Sequence, residues 1–234
     1  MSKRNTPKFK IYSKFGSKLT DHPKLTSSKL KSKKWQFLFS SNRRPRKETE
    51  YGSVLRAKQR LNAFYGGINN KQLTTLFIKA GQYKGNQTIN FIKLLERRLD
   101  VFLFRSKLSP SLHEIRQLIQ HGHFLINGSV VKTASLLLKK NDRISVKAES
   151  IDLLKNKVNR YFSQIIHNNK ISKKMSMAQI VRNNPILFVP NYIEFNHYLM
   201  EGQLVELPDV ENICYPMNPD LTPLMEYYKH IKKV

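Results

Sequence analysis

Clustered cations are the side chains of this sequence best suited to a chemical task. Arg43, Arg44, Arg46 and Lys47 lie within five residues of one another. Guanidinium groups at this density can grip phosphate oxygens bidentately, and ammonium groups add point charges. The alternative is a solvated run of charge with no partner. Because the summed field of such a run attracts a polyanion, we favour phosphate binding.

A second set of polar groups falls on a stretch with helical periodicity. Arg56, Lys58, Gln59 and Arg60 are expected on the polar side of a helix predicted from about residue 52 to 64, opposite its apolar positions. Plain surface charge is almost as good an explanation for them as RNA binding. Tyr51 and Tyr65 could stack on bases or ribose, although core packing is favoured for Tyr65, next to the stop at Gly66-Gly67.

No pattern in the sequence indicates catalysis. A glycine-rich phosphate loop, a nucleophile motif and a pair of catalytic carboxylates are all missing. His121 and His123 could suggest a metal, but they lack a third ligand nearby. The one cysteine, Cys214, excludes an internal disulfide framework and a cysteine-rich zinc site. We therefore expect no enzyme activity, no cofactor and no metal.

The net charge identifies the class of partner. The chain has 42 Lys and Arg against 16 Asp and Glu, a formal charge of +26. A small domain needs a net charge of only roughly 2–8 for solubility, so a polyanion is the expected partner. Apolar runs fall short of the ~20 residues that span a bilayer, and no membrane role is expected.

Charge also divides the chain. Residues 1–47 hold fifteen Lys or Arg and one acid, whereas residues 191–234 hold three and seven. The first block indicates an extended basic N-terminal arm that orders on its partner. A transit peptide is the other interpretation, although Lys outnumbers Arg here.

The elements that must position these groups can be predicted in outline. Three helices are expected over residues 51–105, the third from about 89 to 105. Ser111 and Glu114 fit a capping box that starts a short helix, and Gly122 is placed to end it. Asn127-Gly128 predicts a β-hairpin, and residues 143–146 are expected to form an edge strand.

These runs carry a resemblance. Leu-Glu-Arg-Arg-Leu-Asp (95–100), Arg-Gln-Leu-Ile-Gln-His-Gly-His (116–123), Ile-Asn-Gly (126–128) and Asn-Asp-Arg-Ile-Ser-Val (141–146) resemble the RNA-binding module named after small-subunit ribosomal protein four. Upstream, Glu50-Tyr51-Gly52, Leu55-Arg56, Lys58-Gln59 and Tyr65-Gly66 are similar to the helical region that precedes the module in that ribosomal protein. Residues 191–196 and 225–228 are similar to its C-terminal tail.

Three positions depart from the family pattern. Residues 1–47 lack the cysteines that bind zinc in many bacterial members, so that site is absent. Leu112 replaces the usual Arg after the helix cap, which removes an expected RNA contact. Asn141 replaces the usual Gly before Asp142, and the turn should survive because Asn tolerates the left-handed backbone.

The resemblance implies an α+β fold, in which a helical domain is joined to a small module of two helices on a short twisted sheet. We expect a basic N-terminal arm (1–47), a helical rRNA-binding region (48–94) completed by residues 190–234, the RNA-binding module (95–150), a divergent linker or insertion (151–189) and a C-terminal tail (190–234). In the module, the resemblance and the charge together indicate RNA binding by Arg97, Arg98, Arg116, Gln117, His121, Gly122, His123, Asn127, Gly128 and Lys132. Arg97 and Arg98 could equally pair with Glu96 or Asp100.

The resemblance further implies a structural protein of the small ribosomal subunit that binds rRNA at a helical junction and supports assembly near the side where mRNA enters. Expected partners are small-subunit rRNA, neighbouring small-subunit proteins of the three and five types, and mRNA, without homo-oligomers. The abundance of Asn, Lys, Ile, Phe and Tyr indicates an AT-rich organelle genome, mitochondrial rather than plastid. The alternatives are a free-standing RNA-binding regulator and an RNA-modifying enzyme of the pseudouridine synthase type.

Overall fold

The computed structural model describes residues 49–172, 189–208 and 228. The chain divides into two compact units, one formed by residues 1–67 and 215–234 and the other by residues 68–214. The division falls after Gly67, and the predicted boundary between helical region and module, at residue 94, stays a prediction.

The first unit contains helix α1, Glu50–Phe64. Thr49 caps its start by accepting a hydrogen bond from the Gly52 amide (3.2 Å), as a threonine at this position commonly does. Leu61 and Phe64 are buried on one side of the helix. Gly66 and Gly67 follow with positive φ angles of 67° and 74°, which end the helix as the sequence predicts.

The second unit begins with two helices that pack on each other, α2 (Asn70–Ala80) and α3 (Gln87–Glu96). The rings of Phe77 and Phe91 meet edge to face with centroids 5.8 Å apart. The Gln87 side chain donates to the Phe77 carbonyl (3.1 Å). The same carbonyl accepts from the Gly81 amide (3.2 Å), so Gln87 adds a second donor at the end of α2 and ties α3 to it.

The single helix predicted over residues 89–105 was wrong, because the chain breaks into α3 and α4 (Leu99–Arg105). At the break, Arg98 forms an isolated antiparallel bridge with Leu137. The Leu99 amide donates to the Leu136 carbonyl (2.9 Å), and the Leu138 amide donates to the Arg97 carbonyl (2.8 Å). These long-range bonds replace the helical bonds that local periodicity predicts.

Two carboxylates, those of Glu96 and Asp100, are buried beside this break. Glu96 connects elements of the fold. Glu96, fully buried, accepts hydrogen bonds from the Arg105 guanidinium (2.9 and 3.2 Å) and from the Tyr192 hydroxyl (3.0 Å). Buried carboxylates are tolerated when they are paired and hydrogen-bonded in this way. Glu96 thus connects α3 both to α4, through Arg105, and to the segment around residue 192, through Tyr192.

The predicted start and end of the next helix, α5 (Leu112–Gln120), are confirmed with one change. The Ser111 hydroxyl accepts from the Glu114 amide (3.3 Å) as in a capping box. The return bond is indirect, because the Glu114 carboxylate accepts from the Ser109 hydroxyl (2.7 Å). Gly122 follows the helix with φ of +75°. Leu112 is buried, which accounts for an apolar residue at this position.

A five-stranded antiparallel sheet completes the second unit, in the order β2-β1-β3-β5-β4. Its strands are β1 (Phe124–Ile126), β2 (Ser129–Val130), β3 (Arg143–Val146), β4 (Ile193–Asn196) and β5 (Glu201–Leu204). The Asn127-Gly128 hairpin joins β1 and β2 as predicted. The α+β fold class, with a small antiparallel sheet, is confirmed.

Two expectations for the sheet were wrong. Strand β3 is central rather than an edge strand, because β5 pairs with it from Arg143↔Gln203 to Ser145↔Glu201. Residues 193–204 were assigned to a tail that completes the helical region, yet they form β4 and β5 within this sheet. The alternation of buried and exposed residues in β3 fits a strand with one face on the core.

Residues 151–189, expected as a linker or insertion, begin with a long helix, α6 (Ile151–Ser172). Leu154, Val158 and Tyr161 are buried at spacings of four and three, so this helix is part of the unit's core. None of the helices in the described ranges has the length and apolar character needed to cross a membrane.

Candidate nucleic-acid interface

The first predicted site, the cluster Arg43, Arg44, Arg46 and Lys47, lies outside the described residues. Phosphate binding by this cluster stays a prediction.

Helix α1 exposes only part of the second set. Arg56 and Gln59 are exposed and three residues apart, so they share one face of the helix. Lys58 is buried at 9% exposure, with its Nζ 5.8 Å from the centre of the Tyr228 ring. Its placement with Arg56 and Arg60 on one polar side was wrong, since two residues correspond to about 200° of rotation. Arg60 is half-buried.

The two tyrosines of this region differ. Tyr51 is 64% exposed, which leaves its ring accessible for stacking. Tyr65 is 1% exposed and meets the Phe64 ring edge to face at 5.0 Å. The core role favoured for Tyr65 is confirmed.

In the second unit, the arginines at the α3–α4 break serve the fold. Arg98 is 4% exposed, and its guanidinium donates two 3.0 Å hydrogen bonds to the buried Asp100 carboxylate. Of the two alternatives for Arg98, pairing with Asp100 is the one observed. The Arg97 Nε donates to the Leu138 carbonyl (2.8 Å), so this arginine also stabilises the break. Its side chain is half-buried.

Arg116 links this buried network to the surface. Its Nε donates to Asp100 Oδ2 over 2.7 Å, while its side chain stays 22% exposed. A planar guanidinium held on one edge by a carboxylate has a fixed direction. Gln117, the next residue of α5, is exposed.

The end of α5 and strand β2 bring further predicted residues together. A Cβ atom on Gly122 would lie 3.3 Å from Val130 Cγ1 and 3.6 Å from Lys132 Cε, so a side chain here would require Val130 to move by a few tenths of an ångström. His121 precedes Gly122, and its amide bonds to the Gln117 carbonyl one turn earlier (3.0 Å). We call Gln117, His121, Gly122, His123 and Lys132 the module patch.

His123 is the half-buried member of the patch. Its ring stacks on His121 at 6.0 Å, and its Nδ1 lies 2.7 Å from the Ser150 hydroxyl. Burial lowers the pKa of His123, and the charges of His121, Lys157 and Lys147 lower it further. The neutral ring is therefore favoured near neutral pH.

Asn127 was predicted to contact RNA, but its side chain is engaged within the fold. Its Oδ1 accepts from the Arg143 amide (3.0 Å), and its Nδ2 donates to Asp142 (3.1 Å). Asn127 and Gly128 have φ angles of 50° and 83°, as a two-residue hairpin turn with positive φ at both positions requires. Gly128 is exposed with open space around it, so its backbone stays accessible.

Sequence reasoning missed a group of cations beside this turn. Lys139, Lys140 and Arg143 are all exposed. Asp142 joins the two turns, because it accepts from the Lys139 amide (2.7 Å) as well as from Asn127. The sequence could have indicated them, since these cations flank the predicted turn at Asn141. The φ of Asn141 is 65°, which confirms that this Asn adopts the left-handed backbone conformation.

The arrangement is suited to binding a phosphate backbone by charge and shape. Exposed donors surround a rigid turn and the end of a helix, and double-stranded RNA is recognised mainly through phosphates and 2′-hydroxyls. Among the residues described by the structure, no group of three His, Cys, Asp or Glu side chains could hold a metal ion.

Two protein-family models match successive segments of the chain. Residues 3–96 match the family described as Ribosomal protein S4/S9 N-terminal domain. Residues 97–144 match the S4 domain, and these residues contain the module patch and the Asn127-Gly128 turn.

Individual relatives match along almost the whole chain. The small ribosomal subunit protein uS4 of Dinoroseobacter shibae is 30% identical over 228 residues, covering 97% of this chain and 98% of that protein. The uS4 proteins of Sinorhizobium fredii and Rhizobium meliloti are each 31% identical over 97% of this chain and 99% of their own. The chain therefore belongs to the uS4 family of small ribosomal subunit proteins.

Proposed function

We propose that this chain is a structural protein of the small ribosomal subunit and that it binds small-subunit rRNA. The observation that carries the proposal is the match, over 97% of the chain, to relatives named small ribosomal subunit protein uS4. The charge of +26 fits a protein that neutralises a phosphate backbone.

The mechanism is charge neutralisation combined with recognition of RNA shape. In the second unit, the contacts come from Arg116, the module patch, the Gly128 backbone and the exposed Lys139, Lys140 and Arg143. In the first unit, they come from Tyr51, Arg56, Gln59 and Arg60, together with the basic cluster at 43–47. Cations of this kind position the protein on its RNA, whereas specificity comes from the shape of the RNA fold.

The proposal extends to the place of the protein in the subunit. The rRNA target is a junction of several helices, which the two units grip together during early assembly near the side where mRNA enters. Small-subunit proteins of the three and five types are its neighbours, and mRNA passes close by. The support for this placement is the resemblance of both the helical region and the module to the ribosomal protein.

We further assign the protein to mitochondrial ribosomes. The supporting observation is composition: 29 Lys, 13 Phe and 10 Tyr among 234 residues, with abundant Asn and Ile, fit translation from an AT-rich organelle genome. A plastid ribosome is the second choice. Cell fractionation with antibody detection tests this assignment independently of the ribosomal role.

Sedimentation tests the ribosomal role. A lysate is run on sucrose gradients at low salt and at about 0.5 M salt, where non-specific phosphate binding is largely lost. We expect the protein to travel with the small subunit at both salt concentrations. Recovery in the light fractions alone would contradict the proposal and favour the free-standing RNA-binding regulator. The pseudouridine synthase alternative would require modification activity on RNA by the purified chain.

A further inference from the structure

The sheet of the second unit carries a groove that the proposed RNA contacts leave largely unexplained. Its volume is about 900 Å³. One wall is formed by the Asn127-Gly128 turn and Arg143, and the other by strands β4 and β5 with the turn between them, residues 193–204. We call it the hairpin groove.

The wall formed by β4, β5 and their turn is negatively charged, whereas the chain as a whole is positively charged. Residues 191–208 contain three glutamates and neither Lys nor Arg. Glu194 and Glu201 line the groove, and both are exposed. Carboxylates at this position repel phosphate and attract a segment rich in Lys and Arg. Of the residues in the described ranges that line the groove, Arg143 alone is a Lys or Arg.

The turn between β4 and β5 exposes two large apolar side chains side by side. Tyr198 is 88% exposed and Leu199 is 65% exposed. Asn196 fixes the turn, because its Oδ1 accepts from the Tyr198 amide (2.9 Å) and from the Leu199 amide (3.2 Å). The backbone of the turn is thus fixed before any partner binds, which lowers the entropy cost of binding.

The fold of the β4–β5 hairpin does not explain why Tyr198 and Leu199, two large apolar residues, stand at exposed positions. The Phe195 ring lies over Gly202, where any Cβ atom would clash with it. His197 packs on Phe195 at 5.1 Å and on Phe162 at 6.4 Å. The hairpin is secured by these contacts and by its pairing with β3, so Tyr198 and Leu199 remain available to a partner. Aromatic residues are enriched among the anchors of protein interfaces.

We propose that the hairpin groove receives an extended, Lys- and Arg-rich segment of a neighbouring protein of the small ribosomal subunit. Apolar parts of that segment pack on Tyr198 and Leu199, and its cations lie near Glu194 and Glu201. This inference rests on the proposed function, since basic proteins of this kind surround the chain only in the subunit. Within the second unit, the cations and the glutamates then divide the surface between RNA and protein.

Photo-cross-linking in purified small subunits tests the proposal. The full chain carries p-benzoylphenylalanine in place of Tyr198, an exposed position where the change leaves the fold intact. We expect a cross-link to another small-subunit protein, with mass spectrometry locating it in a segment rich in Lys and Arg. A cross-link only to rRNA, to a second copy, or to residues of the same chain would overturn the inference, and so would the absence of any cross-link.

A matched probe separates this inference from the proposed function. The same photo-reactive residue in place of the exposed Gln117 is expected to cross-link to rRNA. If the Gln117 probe reaches rRNA and the Tyr198 probe does not reach protein, only the groove inference fails. If the chain is absent from small subunits altogether, the proposed function fails, and the groove inference fails with it.

Charge reversal gives a second measurement. In the chain with the Tyr198 probe, Glu201→Lys places a cation beside the incoming cations and should lower the yield of the protein cross-link about fivefold, as expected for an exposed charge pair. Glu149→Lys, an exposed change away from the groove, is the control and should leave the yield unchanged. Equal yields in the two variants would overturn the basic character of the segment.

Discussion

The Arg116 Nε donates a 2.7 Å hydrogen bond to the buried Asp100 carboxylate. The same carboxylate accepts two bonds from Arg98 and one from the Val101 amide (3.0 Å). Asp100 is fully buried, so its charge depends on these donors. One buried carboxylate thus both stabilises the α3–α4 break and orients an arginine at the surface.

Replacement of this carboxylate should destabilise the second unit strongly. Asp100→Asn leaves the buried Arg98 guanidinium without a counter-ion, and we expect the free energy of unfolding to fall by about 3 kcal/mol or more. Urea denaturation monitored by circular dichroism measures this loss. Glu149→Gln, at a residue whose side chain is 77% exposed, is the control and should change stability by at most about 0.5 kcal/mol. A similarly small effect of Asp100→Asn would contradict the assigned role.

The backbone at Gly122 gives a second test of the module geometry. Gly122→Ala combines a positive φ of 75° with a Cβ contact of 3.3 Å to Val130, and should cost about 2 kcal/mol. Gly128→Ala has a similar φ of 83° with nothing within 4 Å, and should cost only about 1 kcal/mol. Denaturation of both variants isolates the steric contact. Equal losses would show that Val130 yields to the added methyl group.

Lys132 tests the contribution of the module patch to RNA binding. Lys132→Gln removes one phosphate contact, so the slope of log affinity against log salt should become about 0.7–0.9 less steep. Filter binding to small-subunit rRNA across a salt series measures the slope. Arg160→Gln changes an exposed cation on α6 outside every region assigned to RNA, and it is the control. A slope equal to that of this control would remove Lys132 from the interface.

The pKa of His123 is lowered in the folded protein, and stability should therefore depend on pH. As the pH falls below the usual value of 6.5, the unfolded chain takes up a proton that the folded chain binds less well. Stability should be lost as the pH falls from 7.5 towards the lowered pKa, and the loss levels off below it. His197, whose pKa burial also lowers, contributes in the same direction.

Urea denaturation at pH 7.5 and pH 5.5 measures this dependence. His123→Gln should lose less stability between the two pH values than the unchanged chain does. An identical loss in both would show that His123 does not contribute.

Sequence patterns predicted the local features well. Ser111, Gly122 and the Asn127-Gly128 pair act through backbone bonds within a few residues, and short-range chemistry determines such turns and caps. The break after Glu96 escaped prediction because bonds to residues 134–138 compete with the helix, and periodicity does not report contacts 40 residues away. Lys58 shows a further limit, since this buried lysine lies near the ring of Tyr228, a residue far along the chain.

The sheet shows the same division between local and distant determinants. The short run at 143–146 was recognised as a strand, but its central position depends on β5, some 60 residues later. Arg98 was left open between RNA contact and pairing, and Asn127 was expected to contact RNA. The bonds that they make within the fold depend on Asp100, Asp142 and the Arg143 backbone. Arg143, exposed beside Asn127, was missed because its place on the surface follows from that same pairing.

Direct binding to RNA tests the central claim. The purified full chain is titrated against small-subunit rRNA and against an unrelated structured RNA of equal length at about 0.2 M salt, where non-specific affinity is low. We predict that the rRNA is bound at least about a thousandfold more tightly. Equal affinity for the two RNAs would contradict a specific rRNA-binding role and leave only non-specific attraction by a cationic chain.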